Sequence, residues 1–85
     1  MIYRIAIFGP LARAAATTAF EIELPVASCK CITLRLAVAK QFLSKPEILP
    51  HLSAARFAVN HEFVSDDHSI SSTDEIALIS AVSGG

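Results

Sequence analysis

Glycine is scarce in this 85-residue chain: Gly9, Gly84 and Gly85 are all it has. Loops that cradle a phosphate need several glycines in one turn, so nucleotide-binding folds of that kind are excluded. The two cysteines, Cys29 and Cys31, are too few for a disulfide framework, which agrees with a reducing compartment. Charged residues make up 18% of the chain and hydrophobic residues 53%, a balance that excludes a polyelectrolyte tail and a disordered chain. Positive charge is not in surplus. The formal net charge is −1, and Arg4, Arg13, Lys30, Arg35, Lys40, Lys45 and Arg56 are scattered, so no patch forms to neutralise phosphates and nucleic acid is not the expected partner. No apolar run approaches a membrane span. Arg4 interrupts the first apolar stretch with no basic leader before it, which does not read as a signal peptide. The expectation is a cytoplasmic protein with no membrane association.

What is present fits one small domain. A chain of this length buries only about 60–65% of its unfolded surface. With a mean hydropathy of +0.53, it carries more apolar surface than one such core hides, and a partner interface is expected.

Residues 2–8, IYRIAIF, read as a first strand ending at Gly9-Pro10, with Tyr3, Ile5 and Ile7 on one face and Ile2, Arg4, Ala6 and Phe8 on the other. Both faces are partly apolar, so the strand is expected to be central or partner-covered. Residues 11–17 are too short for a stable isolated helix and read as a connecting loop with at most a helical turn. Residues 18–24 alternate, with Phe20, Ile22 and Leu24 inward and Glu21 and Glu23 outward, giving a second strand hairpinned to the first. Ser28 is the expected N-cap of a helix from Cys29 to Leu43, whose core stripe is expected to be Ile32, Leu36, Ala39 and Leu43. Pro46 and Pro50 imply an irregular connection over 45–55. Residues 56–60 form a third strand, His61-Glu62 a turn, and Phe63-Val64 a brief strand. Residues 65–74 form a polar loop anchored by Ile70, and residues 75–80 the last strand. One sheet with a single main helix on one face is an α+β two-layer domain with the ingredients of the ubiquitin-like β-grasp. Its boundaries are expected at 1–80, with a tail at 81–85. A single helix covers a single sheet face, so the other face must be polar or meet a partner.

Resident chemistry is hard to assemble. His51, His61 and His68 all fall in expected loops, without ligand spacing. A Cys29–His68 dyad carries no motif. Cys29 and Cys31, two residues apart, do not share a helix face, and zinc requires four ligands at wider spacing; they read as small buried residues, and no metal site is expected. Asp66-Asp67 lacks the calcium-loop pattern and reads as a solvated turn.

The end of the sequence is different. Gly84 and Gly85 follow directly after the last strand, and at average usage a terminal glycine pair occurs in about one chain in two hundred. Glycine lacks a Cβ, so such a tether threads a narrow tunnel. Its carboxylate, once activated as an acyl-adenylate, accepts a sulfur, nitrogen or oxygen nucleophile. The alternative is a frayed end without a role.

The run Asp74-Glu75-Ile76-Ala77-Leu78-Ile79-Ser80-Ala81-Val82-Ser83-Gly84-Gly85 resembles the end of the small subunits of molybdopterin synthase, the MoaD-like sulfur carriers of the ubiquitin-like β-grasp family. Arg56–Asn60 with Val64 match the family's strand and Asn turn, and Phe8-Gly9 the end of its first strand. Thr73 departs from the family's usual Gly, and Ser80-Ala81 from its Pro-Pro. The resemblance implies a carrier that is not catalytic alone and binds no permanent cofactor. ATP would be consumed by an adenylyltransferase related to ubiquitin-activating enzymes, acting on Gly85. The resulting thiocarboxylate would enter the large synthase subunit and give sulfur to cyclic pyranopterin monophosphate in molybdenum cofactor biosynthesis, in a heterotetramer of two large and two small subunits. Gly85 would then be the sulfur-bearing residue and Gly84 the tether. Phe8, Ile79, Val82 and Ser83 are the expected partner contacts, with Arg13 a further candidate. Three other readings stay open: a β-grasp carrier for thiamine or tRNA thiolation, a ubiquitin-like modifier joined through Gly85 to a lysine, and an enzyme using Cys29.

Overall fold

A computed structural model describes residues Met1–Ser80. The chain runs β1 (Ile2–Phe8), α1 (Pro10–Ala15), β2 (Ala19–Glu23), β3 (Ser28–Lys30), α2 (Cys31–Gln41), a 3-10 turn (Pro46–Ile48), α3 (Leu49–Ala54), β4 (Arg56–Val59), β5 (Glu62–Val64), β6 (Ser69–Ser71) and β7 (Ile76–Ile79). Five strands form one sheet in the order β2-β1-β7-β4-β5, and β3 pairs with β6 in a separate ribbon. Among the described residues only β1 and β7 run parallel; their neighbours are antiparallel. This α+β arrangement is a β-grasp.

The expected first hairpin forms, with Tyr3 opposite Ile22 and Ile5 opposite Phe20. Alternation sorts β1 as its residues predict: Tyr3, Ile5 and Ile7 are fully buried, whereas Ile2 and Phe8 are about half exposed. Ile70 anchors the polar segment, fully buried, and Leu78, Phe57 and Val59 complete the core from β7 and β4. The β4–β5 turn sits one residue earlier than the expected His61-Glu62. Asn60 and His61 take φ of 53° and 71°, the left-handed pair that a tight two-residue hairpin requires, and Glu62 already opens β5.

The main helix departs from expectation at its start and in its orientation. Ser28 does not cap it. Ser28–Lys30 is extended and pairs with β6, so the helix starts at Cys31. Its first N–H groups are satisfied by backbone, Cys31 N donating to His68 O (2.9 Å) and Ile32 N to Asp66 O (3.0 Å). The inward stripe is Cys31, Leu34 and Val38; Ile32, Leu36 and Leu43 face outward, with Leu43 79% exposed. The helix is apolar on both sides, so its pattern could not choose, and docking against the sheet did.

Two segments expected to be irregular are helical. Pro10 sits at the start of α1, where its fixed φ suits a helix and its missing N–H is no loss, and Leu11 and Ala15 are buried. In α3 the anchor is Leu52, and Ile48 is buried in the turn before it. Tertiary burial stabilises helices of this length where propensity alone does not.

Arg35 of α2 ties these layers together. Its guanidinium donates to both carboxylate oxygens of Asp66 (2.8 and 3.2 Å) and to the carbonyls of Leu52 (2.6 Å) and Ala55 (2.9 Å). It also lies 5.1 Å from the centre of the Phe57 ring. One side chain thus links α2, the β5–β6 loop, the end of α3 and β4. Among the described residues no helix is long and apolar enough to cross a membrane.

Candidate functional site: the open sheet face and the chain exit

β1 and β7 are adjacent and parallel, so they end at the same edge of the sheet, with Phe8 beside Ile79. The residues that follow them meet. Ser80 is buried, 4% exposed. Its N–H and its hydroxyl both donate to Phe8 O (3.2 and 3.1 Å), and its Oγ accepts the N–H of Leu11 (2.8 Å). That last bond satisfies a donor in the first turn of α1, where no side chain of the helix does so. Gly9, at φ 81°, passes over Ser80 so closely that a Cβ would collide with the Ser80 carbonyl oxygen. Glycine is required there by both φ and space. Ser80 therefore fixes the point from which the chain passes on to residues 81–85.

Next to this junction lies an apolar groove of about 340 Å³ on the sheet face opposite α2. Ala6, Ala58 and Ala77 form its floor, on three neighbouring strands; Phe8, Phe63 and Ile79 stand around it. Register brings them together: Ala6 is opposite Ala77, Phe8 opposite Ile79, and Ala58 opposite both Ala77 and Phe63. The short floor leaves the depression and the large side chains give it walls, with Phe8 and Phe63 about half exposed. Arg56 lies 4.6 Å over the Phe63 ring. At the far end His61 Nε2 is 3.0 Å from Glu75 Oε2. That end is held by Asn60, which donates from its amide to Asp74 (3.1 Å) and accepts the N–H of Glu75 (3.0 Å). The Asp74 carboxyl is held below its ordinary range, first by the Ser71 N–H (2.8 Å) and then by Asn60.

Of the expected contact residues, Phe8 and Ile79 both border this groove; with Leu78 buried, alternation does turn Ile79 to the open face. Arg13 is exposed on α1 and is not among the residues lining the groove. Val82, Ser83, Gly84 and Gly85 lie outside the described residues. Phe63, Arg56 and the alanine floor were not singled out from sequence. Phe63 stands two residues past the hairpin turn, where alternation with the buried Phe57 and Val59 across the ladder points it outward. Ser80 carried no sequence signal as an anchor.

Among the described residues no hydrogen bond joins either cysteine sulfur to the His68 ring. Cys31 is buried, and burial first, then the Asp66 charge, pushes its thiol up to about 11, which suppresses the nucleophilic thiolate. Cys29, opposite Ile70 in the ribbon, lies beside the Tyr3 hydroxyl, which donates to Val26 O (2.8 Å). Burial and this neighbour raise the Tyr3 phenol to about 12. Among the described residues no group of three or more His, Cys, Asp or Glu could hold a metal ion.

No curated protein matches the chain. Among solved structures it is similar to SAMP1 of Haloferax volcanii, with a TM-score of 0.78, 17% identity and 100% of each chain covered. It is similar to a Pyrococcus furiosus protein provisionally named molybdopterin converting factor subunit 1, with a TM-score of 0.75 and 19% identity over 96% of this chain and 99% of the other. A complex of subunits 1 and 2 of the molybdopterin-converting factor from Helicobacter pylori also matches, with a TM-score of 0.61, 19% identity and 100% of each chain covered. At these identities the likenesses establish the shared β-grasp fold. The ThiS family model matches residues 5–85, nearly the whole sequence, and the chain therefore belongs to the ThiS family.

Proposed function

We propose that this protein is the sulfur-carrier small subunit of molybdopterin synthase. The observation that carries this reading is a juxtaposition. An exposed apolar groove borders the exit at Ser80, and five residues ending in Gly84-Gly85 follow that exit. Fully extended, five residues reach at most about 18 Å. A partner seated on the groove through Phe8, Ile79 and Phe63 would then have Gly85 within reach of a buried active site, with Val82 and Ser83 contacting the entrance.

The chemistry is that of the terminal carboxylate. Its oxygen attacks the α-phosphorus of ATP on an adenylyltransferase, releasing pyrophosphate and giving the Gly85 acyl-adenylate. A persulfide donor then attacks the carbonyl carbon and displaces AMP, and a thiol reductant cleaves the resulting S–S bond to leave the thiocarboxylate. In the large synthase subunit this sulfur passes to cyclic pyranopterin monophosphate. Support for the partner comes from the Helicobacter pylori neighbour, whose subunit 1 is found in complex with subunit 2. The likeness to Haloferax volcanii SAMP1, named as small archaeal modifier protein 1, supports a second reading, in which the same acyl-adenylate is passed to a lysine amine of a target protein.

The deciding measurement is the intact mass of the protein isolated from a sulfur-replete host with the activating enzyme present. The expected result is one oxygen replaced by sulfur, absent when Gly85 is deleted. An unchanged mass, with the activating enzyme active on its own carrier, rejects the sulfur role, and Gly85-dependent lysine adducts favour the modifier. For the groove, Phe8→Ala with Phe63→Ala is expected to weaken capture of the large subunit at least about tenfold, as buried aromatic anchors do.

A further inference from the structure

The outer edge of β2, on the opposite side of the sheet from β5, has open hydrogen-bonding capacity. Leu24 and Thr18 bond across to Met1 and Ile7 (2.9 Å each). Antiparallel alternation then turns the N–H and C=O of Phe20 and Ile22 toward β1, and those of Glu21 and Glu23 outward. Ala19 is satisfied by the Thr17 hydroxyl. The outward groups of Glu21 and Glu23 have no backbone or side-chain partner among the described residues. Such an edge is a template for another strand.

Its surroundings say what kind of strand. On the helix side the edge opens onto a groove of about 350 Å³ lined by Ile22, Glu23, Leu24, Ala37, Lys40 and Gln41. This groove is separate from the one beside Ser80. On the other side the Glu21 and Glu23 carboxylates are exposed; Arg4 meets Glu21 at 3.0 Å, while Glu23 stands opposite the apolar Ile2. A second copy pairing edge to edge through β2 would bring Glu21 and Glu23 against their own equivalents, a like-charge arrangement that opposes pairing. A strand with alternating Lys or Arg reverses that sign.

We propose that the β2 edge docks an extended segment of a different polypeptide, in which apolar residues over the groove alternate with basic residues beside Glu21 and Glu23. Main-chain bonds to Glu21 and Glu23 supply the pairing, and the two faces supply the selectivity. This does not depend on the tail chemistry, and both surfaces can be occupied at once because they lie on different parts of the sheet.

The test uses the full-length, nitrogen-15-labelled protein and a capped six-residue peptide of alternating valine and lysine. Amide exchange at Glu21 and Glu23 is expected to slow at least about tenfold at saturation, with resonance shifts at Ala37 and Lys40. Glu21→Lys with Glu23→Lys is expected to weaken binding about tenfold and to improve binding of the valine–glutamate peptide, as cross-strand charge pairing dictates. Glu23→Pro, a change sheet edges tolerate, is expected to abolish protection; the charge-reversed variant keeps the test decisive if the proline variant does not fold. Shifts centred on Phe8 and Phe63, binding indifferent to charge reversal, no protection at either glutamate, or protection that grows with protein concentration alone would each overturn the proposal.

Discussion

The two faces of the five-stranded sheet are built from alternate residues of the same strands, yet they solve opposite problems. On the face under α2, β1 contributes Tyr3, Ile5 and Ile7, and β7 contributes Ile76 and Leu78, all buried. On the other face the same two strands contribute Ala6, Phe8, Ala77 and Ile79, leaving a groove with a floor of alanines. Large residues interlock where a helix covers them; small residues flanked by exposed aromatics stand where it does not. The covered face holds the fold, and the open face leaves its aromatics exposed.

The strongest way to break this division is to move the covered side. Leu34→Ala removes a fully buried side chain and is expected to cost about 2–5 kcal/mol in urea unfolding. On the same helix Leu36→Ala, at an exposed position, is expected to change stability by no more than about 0.5 kcal/mol. Equal losses would mean that the outward stripe of α2 is packed after all. The half-exposed Phe8 should behave like Leu36 in stability, within about 1 kcal/mol when changed to Ala, and unlike it in partner capture.

Two arginines sharpen the comparison, because each stands over a phenylalanine. Arg35, on the covered side, is only 14% exposed and also holds Asp66 and two carbonyls. Arg35→Met is expected to cost about 2–3 kcal/mol, since four part-buried hydrogen bonds lose their donor at once. Arg56 covers Phe63 on the open face, and Arg56→Met is expected to cost at most about 1 kcal/mol. At the junction of the two faces, Ser80→Ala leaves the buried Leu11 N–H without its acceptor, an expected loss of about 1–3 kcal/mol. Ser80→Thr, which restores the oxygen, is expected to recover most of it.

What could be read from sequence follows the range of the interactions involved. The alternation of β1 and β2, their hairpin and the inward Leu78 beside an outward Ile79 are local patterns, and they were legible. The face of α2 was not, because Ile32, Leu36 and Leu43 form as good a stripe as Cys31, Leu34 and Val38, and only contact with the sheet distinguishes them. The helices at Pro10–Ala15 and Leu49–Ala54 depend on burying Leu11 and Leu52 against distant strands. The β3–β6 ribbon pairs Ser28, Cys29 and Lys30 with Ser71, Ile70 and Ser69, triplets with one apolar residue each and too short to give a strand signal. Half the groove was visible, in Phe8 and Ile79. Its floor and Ser80 were not, since the floor joins alanines of β1, β7 and β4 and Ser80 is fixed against the end of β1, contacts between segments far apart in sequence. For Gly84 and Gly85 the reading rests on sequence alone.

A modest effect at neutral pH is expected at Tyr3, and it separates the faces by titration instead of truncation. Tyr3 is the only tyrosine, so phenolate absorbance reports the covered face alone. Removing its hydroxyl in Tyr3→Phe gives up one hydrogen bond to Val26 O, an expected loss of about 0.5–1.5 kcal/mol. The pH dependence is more distinctive. Burial raises the phenol from its ordinary value of 10.0 to about 12, so the folded state favours the protonated form. Its contribution is complete below pH 10 and declines as the pH rises toward 12, because there the unfolded chain releases a proton that the folded one keeps. Cys31, raised by burial to about 11, acts in the same direction from pH 9 upward. The wild-type protein is therefore expected to show a phenolate midpoint near 12 while folded, and a stability that falls from pH 9 upward. Tyr3→Phe should keep only the part of that fall due to Cys31. A folded-state phenolate midpoint near 10 would show that the Tyr3 hydroxyl reaches water, and that the covered face is open at the end where β1 begins.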